Sequence, residues 1–195
     1  MRKYISFLLT VLLLCPFTAS AAARPQYIGL AFRGFPAGEG GRTLLDGLAR
    51  REARATFFLD APSQEQGQRI LEGGHEIGLT APESWNPLSR RQVYQALNDR
   101  RALLPACRIG LLLADGRISD GVRQVAETQK MRFLKNAIDP WAEAPAGLDF
   151  LPRIKPGDVL LLSARNPELS LNLVDLLQKR GFRLVAVSEL ARLDL

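Results

Sequence analysis

The sequence predicts an α/β fold, with about seven parallel strands in a sheet that is closed or nearly closed into a barrel. Two observations carry this. Short, continuous apolar runs recur along the chain, as expected of strands covered on both faces. Between them lie segments with apolar residues at helical spacing, and alternation of the two implies a parallel sheet with helical crossovers. A third observation places the chemistry. "IGLAFRGFPAG", Ile28 to Gly38, is an apolar strand that opens into a Gly/Pro-rich loop, the kind of strand end where α/β folds keep their functional groups. The length of 195 residues favours one domain.

The first segment stands outside that domain. "MRKYISFLLTVLLLCPFTASAAA" has Arg2 and Lys3, then an apolar run from Ile5 to Phe17, then Ala19 to Ala23. This is the order of a secretory signal peptide, residues 1–23, with cleavage expected after Ala21 or Ala23. A spanning helix needs about 20 apolar residues and the run is shorter, so no stable membrane span is expected after cleavage. Leu14 before Cys15 is too bulky for a lipoprotein site. The domain is then 24–195, and export to the periplasm or medium of a bacterium is the expected localisation.

The strands expected are Tyr27–Phe32, Ala55–Asp60, Glu76–Thr80, Arg108–Leu113, Arg132–Lys135, Asp158–Ser163 and Phe182–Val187. The helices expected are Thr43–Arg51, with Leu44, Leu45 and Leu48 on one face; Gln64–Leu71 behind a Ser63 N-cap; and Ser89–Leu104 with Ser89 as N-cap. Gly116–Lys130 and Glu168–Arg180 complete the set, Gly181 closing the last as a C-terminal glycine. "GEGG", Gly38–Gly41, reads as a flexible loop before a helix, or as amides able to hold phosphate. The full dinucleotide pattern is missing.

Composition narrows function. The formal net charge is +6, falling to +4 without Arg2 and Lys3. The arginines are scattered through the sequence (Arg50, Arg51, Arg90, Arg91, Arg100, Arg101), without the clustered footprint of nucleic-acid binding. A solvated surface is the reading, compatible with anionic envelope polymers. Beyond the leader there is one cysteine, Cys107, so no internal disulfide forms, and one histidine, His75.

Four pieces resemble the polysaccharide deacetylase family, the NodB-homology domain of carbohydrate esterase family 4. "ATFFLD" (Ala55–Asp60) resembles its second strand, "ILEGGHEIGLT" (Ile70–Thr80) a helix end and third strand. "PGDVLLLS" (Pro156–Ser163) resembles the late strand, and "RGFRLVAVSEL" (Arg180–Leu190) the final strand and turn. They occur in order across residues 26–192. The resemblance implies a distorted or incomplete (β/α) barrel. It also implies a divalent metal, often zinc, held by one Asp and two His to activate water. A second Asp acts as base, a late-strand His as acid, and an Arg orients the base.

This chain departs from each of those positions. "AFRGFP" puts Arg33 at the base position and Gly34 at the ligand aspartate. The ligand histidines correspond to Thr80 and Ser84, and the general acid to Ser163. "CRIGLLL" retains Arg108 of the arginine motif, and "AIDPW" retains Asp139. Neutral hydroxyls do not compete with imidazole or carboxylate for zinc. A fixed cation within about 4 Å of a metal ion is repelled by kilocalories even at a protein-like dielectric. No metal or other cofactor is therefore expected. His75 matches a histidine outside the catalytic set, and a lone histidine does not hold zinc.

No other constellation replaces the lost one. A Ser–His–acid triad would need His75, which lies near a strand start, the wrong end of a barrel. Asp60, Glu83, Asp115 and Asp139 are strand-end acids that leave a paired-carboxylate glycosidase open. The cleft residues expected to bind substrate are Arg33, Trp85, Arg108, Trp141 and Arg165. The tryptophans would stack on sugars or pack in the core, and the arginines would hold carboxylate or phosphate. Arg33 could instead form an ion pair, with Glu83 as partner, filling the metal hole. The expected function is an exported, catalytically inactive deacetylase-like protein that binds a cell-envelope polysaccharide or protein. The alternatives are an active hydrolase with a relocated site and an assembly protein with a closed cleft. The sequence does not define ligand or oligomeric state.

Overall fold

The computed structural model describes residues 25–140 and 150–193. The elements in chain order are β1 Gln26–Arg33, α1 Gly38–Arg50, β2 Thr56–Leu59, α2 Gln64–Glu72, β3 Glu76–Pro82, α3 Arg90–Ala102, β4 Leu111–Asp115 and α4 Asp120–Thr128. There follow β5 Arg132–Phe133, β6 Ala137–Ile138, β7 Val159–Ser163, α5 Pro167–Lys179, β8 Phe182–Val185 and α6 Val187–Leu190. The signal peptide expectation and Trp141 lie outside the described residues.

Every strand pairing is parallel. The order is β5-β4-β3-β2-β1-β7-β6, and β8 pairs with the first half of β1, Gln26–Gly29. Among the described residues nothing joins β5 to β6, so the barrel is curled but incomplete, as the resemblance implies. Among the described residues there are eight strands where about seven were expected. The addition is β6, two residues beside Val159 and Leu160 of β7. It is too short for a periodicity signal.

Alternation sorts the strand residues between two faces. Ile28, Leu30 and Phe32 of β1, Phe57 of β2 and Ile77 and Leu79 of β3 join Leu44, Leu48, Ile70 and Leu97 of the helices in the larger core. The opposite face lines the barrel, where Ala31, Phe58, Leu111, Leu113 and Leu161 form a smaller cluster. That interior is tight. A Cβ on Gly78 would stand 2.5 Å from the Phe58 ring. Phe32 and Phe57 stack at 5.0 Å, and the edge of Phe35 meets Phe57 at 5.5 Å.

The caps explain where helices begin. The Ser63 and Ser89 hydroxyls accept from the amides of Gln66 and Gln92, and Ser89 with Gln92 forms a full capping box. In α5, Asn166 accepts from the Leu169 amide and Pro167 occupies the first turn. Gly181 follows that helix at φ +89°. The reading of Gly38–Gly41 as a loop is corrected: these residues are the first turn of α1. Small residues are needed there because a Cβ on Gly41 would lie 2.5 Å from the Pro36 carbonyl oxygen. The turn is therefore packed and is no phosphate-binding loop.

The amino ends of the strands form a floor, closed by α6. Val187 joins the interior cluster, and Leu190 lies against Gly29. The Glu76 carboxylate accepts from the hydroxyls of Thr56 and Ser188 and from the Ser188 amide, while Thr56 Oγ1 accepts from the Val187 amide at 2.9 Å.

Candidate functional site

The carboxyl ends of the strands form the mouth. Arg33 is the last residue of β1 and lies in register with Phe58 of β2 and Ser163 of β7. Ile28, Leu30 and Phe32 face the helices, so alternation sends Arg33 inward over the barrel. Gly34 at φ +77° then turns the chain away.

The guanidinium donates to Asp115 at 3.1 Å. Asp115 ends β4, three strands away, so the pair spans the ends of β2 and β3. Only the curl of the sheet brings the two together: three flat inter-strand spacings of about 4.8 Å exceed what the two side chains cover. The sequence reading that gave Arg33 to Glu83 is corrected here. Glu83 stands beside the following turn, where a Cβ on Gly116 would come 2.6 Å from its Oε2. Side-chain exposures of 41% for Arg33 and 60% for Asp115 make this a solvated pair.

Next to the pair is a cavity of about 400 Å³ lined by Arg33, Gly34, Phe35, Asp60, Ser163 and Arg165. Arg165 is exposed, and its amide donates to Ser163 Oγ at 3.3 Å. Thr80 is fully buried, alternating with Leu79 and Ala81 of the outer core, and so faces the interior. Its Oγ1 has no hydrogen-bond partner among the described residues. Ser84 is exposed on the 3-10 turn Glu83–Trp85. The structure thus gathers Arg33, Gly34, Ser163 and Arg165 around one cavity and places Thr80 and Ser84 outside its lining. Asp139 follows β6 at the same end and is half-buried.

Arg108 and Trp85 lie away from the cavity. Arg108 was expected at the cleft, but β4 begins at Leu111, so Arg108 is an exposed residue before the strand, at the floor end. For Trp85 the sequence left two roles, stacking on a sugar or packing in the core, and the structure shows the second. Trp85 is 5% exposed within the large core, with the Arg100 guanidinium 4.7 Å from the ring centroid. Arg100 also donates to the Thr80 carbonyl at 2.6 Å. Burial lowers its pKa, and Asp60 acts the other way. The sequence marked Trp85 as aromatic at a strand end but had no signal for the arginine that covers it.

The donor set at the mouth does not fit a divalent metal. Arg33 takes one oxygen of Asp115, Gly34 has no side chain, and Thr80 supplies a neutral hydroxyl. Among the described residues no three His, Cys, Asp or Glu side chains are grouped so as to hold an ion. His75 is at the floor, where Nδ1 accepts from the Ala55 amide at 3.3 Å and the ring meets Phe57 edge-on.

No protein-family model and no characterised protein sequence matches the chain. Solved structures do. A peptidoglycan deacetylase from Bacillus subtilis, PdaC, superposes with a TM-score of 0.71 at 22% identity, over 86% of this chain and 91% of that one. A CE4 family pseudoenzyme from Bacillus anthracis superposes with a TM-score of 0.71 at 18% identity, over 86% of this chain and 66% of that one. A family 4 carbohydrate esterase from Streptomyces lividans gives a TM-score of 0.64 at 18% identity, over 82% and 91%. The chain has the fold of the CE4 polysaccharide deacetylases, a curled parallel half-barrel shared by active enzymes and a pseudoenzyme.

Proposed function

We propose that this chain is an exported, catalytically inactive deacetylase-like protein that binds a cell-envelope glycan at the mouth of its half-barrel. The observation that carries the reading is the cavity beside Arg33. An open cleft of about 400 Å³ persists at the mouth, while the residues around it are a cation, a glycine and hydroxyls. Arg33 and Arg165 offer planar donors to sugar hydroxyls and carboxylates, Asp60 offers acceptors, and Phe35 offers an apolar edge. In this reading the cavity binds a glycan and does not activate water. No zinc is held in this reading.

The likeness to a CE4 pseudoenzyme supports the reading, since the same half-barrel is retained there without activity being its defining property. The test combines zinc analysis of the purified protein, acetate release from N-acetylated chitooligosaccharides and peptidoglycan fragments, and calorimetric titration with the same glycans. Binding without acetate or stoichiometric zinc is the expected result. R33A/R165A should abolish binding and stay folded, because the solvated Arg33–Asp115 pair stabilises by no more than about 1 kcal/mol. Acetate release with stoichiometric metal overturns the proposal.

A second reading, an assembly protein with a closed cleft, draws on the Arg33–Asp115 pair across the mouth and on the burial of Trp85. It expects no glycan binding by wild type and an unchanged profile for R33A/R165A.

A further inference from the structure

We infer that the floor of the barrel, the end opposite the mouth, is a docking face for an anionic lipid surface. The inference does not use the glycan-binding reading, because its residues are at the other end of the strands. Arginines that are scattered along the sequence converge here. Arg54 precedes β2, and Arg183 lies in β8. Arg50 ends α1, Lys179 ends α5, Arg180 follows it and Arg192 follows α6; all six are exposed. A cavity of about 520 Å³ opens among them, lined by Tyr27, Arg51, Arg54, Gln178, Arg183 and Glu189.

Little acid compensates this charge. Asp175 is taken by Arg51 in a two-pronged pair at 2.6 and 2.7 Å. Glu189 approaches Arg54 only to 3.9 Å. Glu52 and Glu72 are exposed carboxylates at the same end of the strands. The mouth is mixed in charge, with Asp60, Glu83, Asp115 and Asp120 alongside Arg33, Arg117 and Arg165. The eight residues of β1 put about 25 Å between the two ends. That is several times the Debye length of about 8 Å at physiological salt, so the mouth carboxylates do not neutralise the floor.

The origin of the chain names the occupant. Tyr27, the second residue of β1, lines the floor cavity, so β1 starts at this face. Eight residues separate the apolar run 5–17 from Gln26, a span of at most about 30 Å. A bilayer that holds or has just released that run is therefore within reach of the arginines. Guanidinium groups pair with phosphate in two-pronged geometry, and anionic headgroups present a dense array of it. Docked this way, the molecule turns its mouth away from the membrane.

Vesicle sedimentation of the full chain tests this. Phosphatidylcholine vesicles are compared with vesicles containing about one-third phosphatidylglycerol, at low and high salt. The apolar run is common to every variant, so the face is read from the difference between vesicle types. Wild type should bind the anionic vesicles more strongly, and high salt should erase the difference. R54A/R183A/R192A should reduce the anionic increment about a hundredfold, at roughly fivefold per arginine. A second variant, K179A/R180A, should reduce it by about 25-fold. R90A/R91A/R117A, which removes three exposed arginines elsewhere, should keep it. Circular dichroism melts confirm that each variant is folded. No anionic increment in wild type overturns the inference. Equal losses in the floor and control triple variants also overturn it, because net charge alone would then explain the attraction.

Discussion

Arg33 and His75 show how a basic residue acquires its role from its end of the barrel. Arg33 is legible in the sequence as a cation at a strand end, but its partner is not. The distance to Asp115 depends on the curl of three intervening strands, which no local pattern encodes. His75 reads as a non-catalytic histidine, and the structure supplies a consequence. Burial, and then the Arg54 charge, lower its pKa to about 4, against an ordinary 6.5. Between those values the unfolded chain binds a proton that the folded chain does not. The contribution of His75 is therefore fully present above pH 6.5 and is lost as pH falls toward 4. The urea midpoint should drop across that window. In H75Q, whose amide oxygen can still accept from Ala55, the drop should shrink. As His75 is the only histidine, an unchanged drop would assign the effect to carboxylates instead.

At the scale of elements, hydrophobic periodicity and caps located the helices well. Ser63, Ser89 and Gly181 do what their positions in the sequence imply. The exception is the start of α1. Gly38, Gly40 and Gly41 are poor helix formers, so local propensity places the start later. Tertiary packing overrides it, because Phe35 and Pro36 fold back onto this turn. The substitution G41A separates the two effects. Propensity alone favours alanine by about 1 kcal/mol. The Cβ would meet a backbone oxygen at 2.5 Å and the Phe35 ring at 2.7 Å, so overpacking should win, with a net loss of about 1–2 kcal/mol in chemical denaturation. A stabilised G41A would mean that the turn is loose. Strand β4 teaches the same lesson in reverse. The apolar run suggested a start at Arg108, but pairing to Thr80 and Leu79 sets the strand at Leu111–Asp115 and carries Asp115 to the mouth.

For the whole molecule, the floor latch determines how the incomplete barrel holds together. Thr56 of β2, Glu76 of β3 and Ser188 of α6 meet through one carboxylate, which joins Glu76 to Thr56, 20 residues before it, and to Ser188, 112 residues after it. Removing that acceptor leaves two hydroxyls and an amide without it, at a cost of about 2 kcal/mol. E76A should therefore lose that much stability, and hydrogen exchange at the Val187 and Ser188 amides should accelerate ahead of global unfolding. Exchange that accelerates uniformly would show that α6 is not held by this latch.

The sequence by itself determined the architecture, since alternating apolar runs and helical faces are local consequences of burial. It also showed Arg33 at a strand end, because residue identities are read directly. Tertiary structure alone decided which groups meet. It paired Arg33 with Asp115, moved Arg108 to the floor, covered Trp85 with Arg100, and gathered scattered arginines onto one face. The reason is the same in each case. Side-chain partners across a curled sheet are fixed by strand order, register and curvature, and these arise from contacts between residues far apart in the chain.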